Sequence, residues 1–512
     1  MKWRFAFLSL SGDSRINKPY YLPLLIIISI VTHFPFVLNG FGELDATKIG
    51  VSVIDMIKHG SKGAFINFYF TDVIPLYVLY LKSFMKLINY KYEYLPLVMN
   101  YTNAVIGTLT IIPAYILIKR LFANPVVAFC SVLALIFAPV FYQSTIAGFP
   151  HLISLFFLLT SFCFYLMALD YSRKDLSYPL LIIACVFLTT ALLFKLDYIL
   201  GVGAYMGFLY VRRIKDKRIY ISTFLIITIS GLLVLVFRYL IIGTTEGATS
   251  SSSGMSEFIN FFIGSFPTSM IYLKRQVKPI IYAAGIITFI LGIVAFIYHL
   301  FKRNIDILIF NLSWAALPTI AWIIINGNNA RHNMLSLFPF LVMIVIFFFE
   351  KAPKYVLFLT AALILSNYFI TSPSSSILRP SGNLFQSQAL LEERMIELHA
   401  RAKEISDINE KKIVVLGYFH NPHAIFEIIT SDPSYEAVKI GRENYKIKTG
   451  NREFVFIYFV SSKPEEMREG VNYILNKYQL HDYLFTSATF DLKSIDDLGL
   501  KTKTLDIIKA SL

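Results

Sequence analysis

Three acidic residues stand close together in a polar stretch that follows the first long apolar run of the chain. The run is Tyr20–Leu38, and the acids are Glu43, Asp45 and Asp55. If the run spans a membrane, Asp45 lies a few residues beyond its far end, where a carboxylate would face water beside lipid. A carboxylate in that place is suited to removing a proton from a hydroxyl group that attacks a lipid-borne substrate. Asp45 is therefore the first candidate for a catalytic base.

Basic residues in other polar turns are candidates for binding a phosphate. Lys195 lies in the corner FKLDY, and Arg331 and His332 lie in the turn NGNNARHN between two apolar runs. Cations opposite a carboxylate at a membrane edge are the groups needed to hold a lipid phosphate or diphosphate, because such a leaving group gains negative charge as the glycosyl bond breaks. Lys195 could instead pair with Asp197 or extend to lipid headgroups, and Arg331 could bind ordinary anionic lipid.

Simpler roles are open for the other candidates as well. Asp45 stands at a good N-cap position for a helix that Ala46–Lys58 is expected to form. We expect Asp55 on the solvated face of that helix, and Glu43 either in solvent or supporting the site from behind. His151 opens an apolar run, where a histidine is commonly an interface residue whose hydrogen bonds are satisfied.

The composition is that of a membrane protein. Of the 512 residues, 56% are hydrophobic and 16% are charged, and the mean hydropathy is +0.61. A soluble protein of this length needs a more charged surface, so lipid must solvate most of the chain. The net charge is +14, but the basic residues cluster in short loops between apolar runs, which argues against nucleic acid as a partner. The three cysteines lie inside apolar runs without paired spacing, which predicts neither disulfides nor a zinc site.

About eleven apolar runs are long enough to be membrane-spanning helices. Val73–Ile88 is not counted, because Lys82 and Lys86 would be costly at the bilayer centre, and we expect it to be an interfacial helix. With the N-terminus in the cytoplasm, every tight pair of basic residues then falls on the cytoplasmic side. The predicted spans are Tyr20–Leu38, Leu95–Ile118, Pro125–Tyr142, His151–Leu169, Tyr178–Phe194, Tyr198–Val211, Ile219–Ile242, Pro279–Leu300, Ile305–Ile325, Asn333–Phe349 and Tyr355–Ile370.

The C-terminal part differs in kind from the apolar part. Lys412–Leu416 and Glu453–Val460 are typical of buried strands, and Pro464–Lys477 is typical of a helix with proline in its first turn. We therefore predict a membrane domain of residues 1–370, which includes an outer loop 39–94, and a small extracytoplasmic α/β domain of residues 371–512. His420 and His423 are expected in a solvated loop, since no cysteine or third histidine nearby would complete a metal site.

The order of these motifs resembles the C-type membrane glycosyltransferases (the GT-C class), and the layout is similar to relatives of protein mannosyltransferases and of the transferases that add aminoarabinose to lipid A. FGELDATKIG places Asp45 at the acidic position that follows the first span in this class. Ile74-Pro75-Leu76-Tyr77 is similar to its Pro-Pro-Leu-Tyr helix start, and Lys119-Arg120-Leu121-Phe122 to its basic Arg-Leu-Phe turn. Lys195 and Arg331 resemble an outer lysine and an arginine of the class. The resemblance covers roughly Tyr20–Phe349.

The sequence also departs from the class at three positions. Ala46 follows Asp45 where the class often has a second acid, and Val73 stands where a lysine is often found, leaving Asp72 as the charge before the proline. His151 replaces an acidic residue that is common at the start of the fourth span. Two outer carboxylates would be the natural ligands of a divalent metal ion, and this replacement removes one of them, so the need for a metal cofactor stays open.

Together with the resemblance, these observations predict a polytopic α-helical glycosyltransferase of the plasma membrane. It would transfer a sugar from a polyprenyl-phosphate or polyprenyl-diphosphate donor to a hydroxyl of a glycan, lipid or protein acceptor on the extracytoplasmic side, with inversion. Asp45 would be the catalytic base. The residues predicted to bind substrate are Lys195, Arg331, His332, His151, Glu43 and Asp72.

Two other classes of function compete with this interpretation. A transporter or lipid flippase would need charged residues near the bilayer midplane, whereas the ionisable residues here fall at the ends of the spans. A non-catalytic membrane scaffold would act through a partner-binding tail. Removal of the tail distinguishes the scaffold from the enzyme, because a scaffold would lose all function and an enzyme should keep donor binding or turnover.

Overall fold

The computed structural model describes residues 20–41, 44–60, 63–65, 75–170, 177–214, 216–242, 279–325, 333–369, 384–417, 420–432, 434–441, 444–459 and 464–506. The chain divides into two units. The first, which we call the helical unit, is Met1–Val37 with Asn100–Gln388, and the second, the mixed unit, is Leu38–Met99 with Ala389–Leu512.

Helices dominate the described residues, and the strands are confined to the C-terminal part. The helices are α1 Tyr21–His33, α2 Leu44–His59, α3 Pro75–Leu87, α4 Leu95–Phe122, α5 Pro125–Ile136, α6 Pro139–Ile146, α7 Pro150–Asp170, α8 Ser177–Phe194, α9 Gly203–Val211, α10 Lys217–Ile242, α11 Ile286–Phe301, α12 Ile305–Ile325, α13 Met334–Lys351, α14 Val356–Phe369, α15 Leu384–Ser406, α16 Asn421–Ser431 and α17 Pro464–Tyr478. The strands are β1 Lys412–Gly417, β2 Glu436–Lys439, β3 Tyr445–Thr449, β4 Arg452–Tyr458, β5 Leu484–Ser487 and β6 Lys501–Thr504.

Four helices of the described chain are long and apolar enough to cross a membrane. They are Tyr92–Phe122, Pro150–Asp170, Lys217–Phe237 and Met334–Lys351, and α5 with α6 would make a fifth if the bent pair is one span. Six shorter apolar helices of 10–17 described residues accompany them. Each segment expected to span the membrane overlaps a helix, and the expected count of eleven spans stays a prediction.

The segment predicted as the span Pro125–Tyr142 consists of two helices. α5 ends at Ile136, α6 begins at Pro139, and the two helices meet at an angle of 62°. Ala138 is extended, with φ −70° and ψ 131°, as is typical of a residue before proline, because the proline ring disfavours a helical conformation in its predecessor. Proline also lacks the N–H that a continuous helix would need at this position.

Charged residues link several helix ends on one side of the helical unit. Asp170, the last residue of α7, forms ion pairs with Arg120 at 2.8 Å and with Arg212 at 2.9 Å. Arg213 pairs with Asp306 at the start of α12, at 2.7 Å. Arg120, Arg212 and Arg213 are residues that the charge pattern predicts on the cytoplasmic side, so the structure gathers part of that predicted face at one end of the helices.

α7 and α8 run antiparallel, which defines the opposite end of the helical unit. The hydroxyl of Ser161 on α7 donates to the carbonyl of Ala184 on α8, and the rings of Phe157 and Phe187 are 5.8 Å apart. Residues that precede Ser161 therefore face residues that follow Ala184. His151, at the start of α7, and Lys195, directly after α8, consequently lie at the end remote from Asp170.

The mixed unit contains a six-stranded sheet in the order β2-β3-β4-β1-β5-β6. β1 is parallel to β4 and β5, β5 is parallel to β6, and β3 is antiparallel to both of its neighbours, β2 and β4. Alternate apolar residues of β1 and β4, such as Val414 and Val455, form a core with Met467 and Val471 of α17. β1, β4 and α17 coincide with the two strands and the helix that the sequence predicts there.

The mixed unit also includes α2 and α3, which differs from the expected domain boundary. The prediction assigned residues 39–94 to a membrane domain that ends at residue 370, whereas the structure groups them with the C-terminal part. The reason is packing, since α2 lies against α16 and its residues Val51, Val53 and Ile54 are fully buried. α3 lies beside α2, and the Lys82 amine donates to the Met56 carbonyl at 3.3 Å.

Candidate functional site

The structure describes three of the predicted site residues, namely Asp45, His151 and Lys195. His151 and Lys195 belong to the helical unit, and Asp45 belongs to the mixed unit. The other predicted site residues lie outside the described residues; they are Glu43, Asp72, Arg331 and His332.

Lys195 is a buried cation at a break between two helices. It follows the last residue of α8 and precedes a 3-10 helix, Leu196–Val202, with an extended backbone at φ −157° and ψ 108°. The residue is 7% exposed, and its ammonium is 3.1 Å from the carboxylate of Asp197, whose side chain is 26% exposed. The ion pair is the alternative role that the sequence left open. It compensates a positive charge that is largely removed from water, and such a charge needs a partner.

His151 lies in the first turn of α7, close to the same charge. The residue is 1% exposed, and the positive charge of Lys195 acts on its imidazole. The turn before α7 is held by Asn103 of α4, whose side-chain amide donates to the carbonyls of Ala147 at 2.8 Å and Phe149 at 2.7 Å. A polar side chain at an interior helix position thus fixes the direction in which α7 begins.

We call Asn103, His151, Lys195 and Asp197 the Lys195 corner. It combines a buried ammonium with the N-terminal end of a helix of 21 residues. Both features favour an anion, since the N-terminus of a helix carries a partial positive charge and unused N–H groups. The corner is therefore electrostatically suited to a phosphate group, for which Lys195 would exchange its ion pair with Asp197.

Asp45 lies within a helix, and not at the N-cap position that the sequence suggested. α2 begins at Leu44, so Asp45 is in its first turn and is partly exposed. A carboxylate there interacts favourably with the helix N-terminus.

Asp55 is buried, which corrects the expectation of a solvated position. It is 0% exposed, and its carboxylate accepts hydrogen bonds from the Phe65 N–H at 2.7 Å and from the Tyr435 hydroxyl at 2.9 Å. A Cβ on Gly63 would collide with this carboxylate, so the close approach requires glycine. Burial raises the pKa of Asp55. The sequence alone did not indicate the burial of Asp55, because its partner Tyr435 is 380 residues away along the chain.

Lys58 forms a second polar contact at the same end of α2. Its amine donates to the Ile429 carbonyl at 2.7 Å and lies 4.6 Å from the centre of the Tyr435 ring. Burial lowers the pKa of Lys58 to about 8. Asp432 is nearby, and hydrogen bonds from Thr449 and Ser434 lower its pKa to about 2.

His420 and His423 are buried at the start of α16, so the expectation of a solvated loop is wrong. Nδ1 of His420 is hydrogen-bonded to the Thr489 hydroxyl at 3.0 Å, and Nε2 of His423 to the Thr47 hydroxyl at 3.0 Å. Burial lowers the pKa of each imidazole to about 3, so both are neutral at physiological pH. Local composition suggested a loop, whereas packing between distant segments removed both side chains from water.

The described part of the chain has no group of three histidine, cysteine or acidic side chains that could hold a metal ion. Glu43 and Asp72 lie outside the described residues, so a divalent ion as cofactor stays a prediction.

A family model described as a domain of unknown function (DUF6311) matches residues 63–277. No curated protein matches the chain. Solved structures match it more extensively. ArnT from Cupriavidus metallidurans in the apo state has a TM-score of 0.51 at 13% sequence identity, over 80% of this chain and 84% of that one.

Two further structures complete the comparison. The oligosaccharyltransferase from Archaeoglobus fulgidus in the apo form has a TM-score of 0.50 at 12% identity, over 81% of this chain. This chain covers 64% of that oligosaccharyltransferase. ArnT bound to undecaprenyl phosphate has a TM-score of 0.46 at 12% identity, over 80% of this chain and 85% of that one. At such identities, a likeness concerns the fold.

Proposed function

We propose that this protein is an integral membrane glycosyltransferase that transfers a sugar from a polyprenyl-phosphate-linked donor to an acceptor hydroxyl on the extracytoplasmic side, with inversion. The observation that carries the proposal is the Lys195 corner. It is a buried cation at a helix N-terminus, at the end of the helical unit remote from the arginines paired with Asp170 and Asp306.

The position of the corner is what a lipid-phosphate donor needs. The arginines at the other end follow the positive-inside pattern, so the proposed orientation puts the N-terminus in the cytoplasm and Lys195 on the extracytoplasmic side. The positive-inside rule does not account for a lysine on the extracytoplasmic side, such as Lys195. A cation kept at this edge can bind the phosphate of a donor whose polyprenyl chain stays in the lipid. The ArnT with a similar fold also binds a lipid of this kind, undecaprenyl phosphate.

In the proposed reaction, the acceptor hydroxyl attacks the anomeric carbon and the lipid phosphate leaves. Asp45 takes the proton of the hydroxyl as the oxygen–carbon bond forms. Lys195 stabilises the negative charge that grows on the phosphate as the glycosyl bond breaks. Arg331 and His332 add positive charge to the same phosphate. Attack from the face opposite the leaving group inverts the anomeric carbon.

The remaining predicted residues have supporting roles in this proposal. His151 contacts the donor beside Lys195, and Glu43 and Asp72 contact the sugar or the acceptor. No nucleotide takes part, because the donor is linked to lipid.

The test is a transfer assay with purified protein and a panel of radiolabelled sugars linked to polyprenyl phosphate. Asp45→Asn should lower transfer by about 100- to 10,000-fold, the usual effect of losing a general base. Lys195→Met should lower it as well. Arg213→Met is the matched control, because it removes a paired cation at the opposite end of the same unit. Equal transfer by the wild type and Asp45→Asn would exclude Asp45 as the base, and no transfer by the wild type with any donor would overturn the proposal.

A further inference from the structure

The helix that carries Asp45 is attached to the C-terminal α/β part of the mixed unit at two separated points. The first is near its N-terminus. The ring of Phe41 packs edge-to-face on Phe426 of α16, with ring centres 4.9 Å apart. The same ring covers Gly50 of α2 so closely that a Cβ on Gly50 would collide with it. Beside it, the buried Thr47 hydroxyl is hydrogen-bonded to Nε2 of His423 at 3.0 Å.

The second attachment is near the C-terminus of α2. The Asp55 carboxylate accepts from the Tyr435 hydroxyl, and the Lys58 amine donates to the carbonyl of Ile429. Two attachments eight residues or more apart on one helix restrict both its translation and its rotation, whereas one attachment would leave it free to pivot. The partner residues lie in α16 or directly before β2; they are His423, Phe426, Ile429 and Tyr435.

Asp45 lies two residues before Thr47, within the same turn of α2. A helical turn is held by its own backbone hydrogen bonds, so the position of Thr47 determines where the Asp45 backbone lies. Catalysis by a general base is sensitive to this, because a displacement of about 1 Å can lower a rate by about 100-fold. The hydrogen bond to Thr47 is also independent of pH near neutrality, since His423 is buried and neutral.

We propose that His423 is a positioning residue for Asp45, and that through it the C-terminal α/β part belongs to the catalytic apparatus. The inference rests on the proposed function, because it assigns His423 to the same reaction. It differs from the expectation that the enzyme keeps donor binding or turnover when the tail is removed.

The test separates positioning from simple stability with an isosteric pair of variants. Thr47→Val removes the hydroxyl and keeps the shape, whereas Thr47→Ser keeps the hydroxyl. We expect Thr47→Val to lower kcat by about 10- to 100-fold with the donor KM unchanged, and Thr47→Ser to retain most of the rate. In a double-mutant cycle, His423→Leu should add little to Thr47→Val, because the two changes remove the same hydrogen bond.

A matched control and a second measurement accompany the kinetics. His399→Ala removes a contact of 3.1 Å between His399 of α15 and the Glu427 carboxylate of α16 and should leave kcat unchanged. Hydrogen exchange of the α2 amides should be faster in Thr47→Val than in the wild type and in His399→Ala.

Each outcome decides one point. If Thr47→Val transfers sugar at the wild-type kcat, His423 does not position Asp45, whether or not α2 exchanges faster. A loss of kcat that Thr47→Ser shares fully would also overturn the proposal, because the hydroxyl would then be irrelevant. If the wild type transfers no sugar from any donor, the proposed function fails first, and the positioning role fails with it.

Discussion

Replacement of either member of the Lys195–Asp197 ion pair should change the affinity for a lipid phosphate, in opposite directions. Lys195→Met removes the cation that is proposed to bind the phosphate and should weaken binding. Asp197→Asn keeps the size of the side chain but removes the carboxylate that competes with the phosphate, so it should strengthen binding. The two variants distinguish a phosphate-binding lysine from a purely structural ion pair, because loss of a structural ion pair would weaken binding in both.

The size of each effect follows from the geometry of the pair. At 3.1 Å, two unit charges attract by about 5 kcal/mol at an effective dielectric constant of about 20. Desolvation offsets most of this, and a hydrogen bond to a charged group contributes about 1.5–3 kcal/mol net. Lys195→Met should therefore weaken phosphate binding by about 10- to 150-fold. Asp197 is partly exposed, so its removal should tighten binding by only about two- to fivefold.

The assay is equilibrium binding of radiolabelled polyprenyl phosphate to the purified chain in detergent. Arg213→Met serves as the control for a lost cation away from the corner. Wild-type affinity in Lys195→Met would refute the assignment of the phosphate to this cation. Weaker binding in Asp197→Asn would show that the carboxylate supports the site and does not compete for it.

Four further predictions concern contacts inside each of the two units. Tyr435→Phe removes a donor to the buried Asp55 carboxylate, so the opening free energy of the α2 amides should fall by about 1.5–3 kcal/mol in hydrogen exchange; unchanged protection would contradict the contact. Because burial raises the pKa of Asp55 above its unfolded value, its contribution to stability is present at low pH and is lost as the pH rises through the folded pKa, and Asp55→Asn should abolish that loss in unfolding measured against pH. The pKa of Lys58 is lowered to about 8 from the ordinary 10.5, so stability should increase with pH between these values, and a Lys58→Met variant that still shows the increase would exclude Lys58 as its source. Asp170→Ala leaves Arg212, whose side chain is 7% exposed, without that carboxylate and should lower stability by about 3 kcal/mol, measured as a lower Tm in detergent, whereas Glu at the same position should restore part of it.

The helices and the distribution of charge could be predicted because both depend on local sequence. An apolar run forms a helix in lipid to satisfy its own backbone hydrogen bonds, whatever the rest of the chain does. The basic residues at the ends of the runs follow the same logic, and Arg120, Arg212 and Arg213 accordingly meet at one end of the helical unit. The two lysines of α3 predicted that this helix does not span the membrane. One of them, Lys82, donates a hydrogen bond to the Met56 carbonyl of α2.

The candidate site could be predicted only in part. A carboxylate after the first apolar run and a lysine at a hairpin corner are visible as residue types, and the corner also revealed Asp197 as a partner because it is two residues away. The same reasoning misjudged Asp55, His420 and His423, which it placed in water. In a helix or a loop of mixed composition, burial depends on what packs against it, and the sequence of the segment does not specify that.

By itself, the sequence indicated that this chain needs a lipid environment, which segments contain apolar helices, and which polar turns could hold an acid or a cation. Only the tertiary structure decided that α2 belongs with the C-terminal α/β part. The physical reason is that the contacts concerned join residues remote in sequence, such as Thr47 and His423, which are 376 residues apart. Such a contact forms because the packing of both segments brings a hydroxyl and an imidazole together away from water, and no local pattern encodes it.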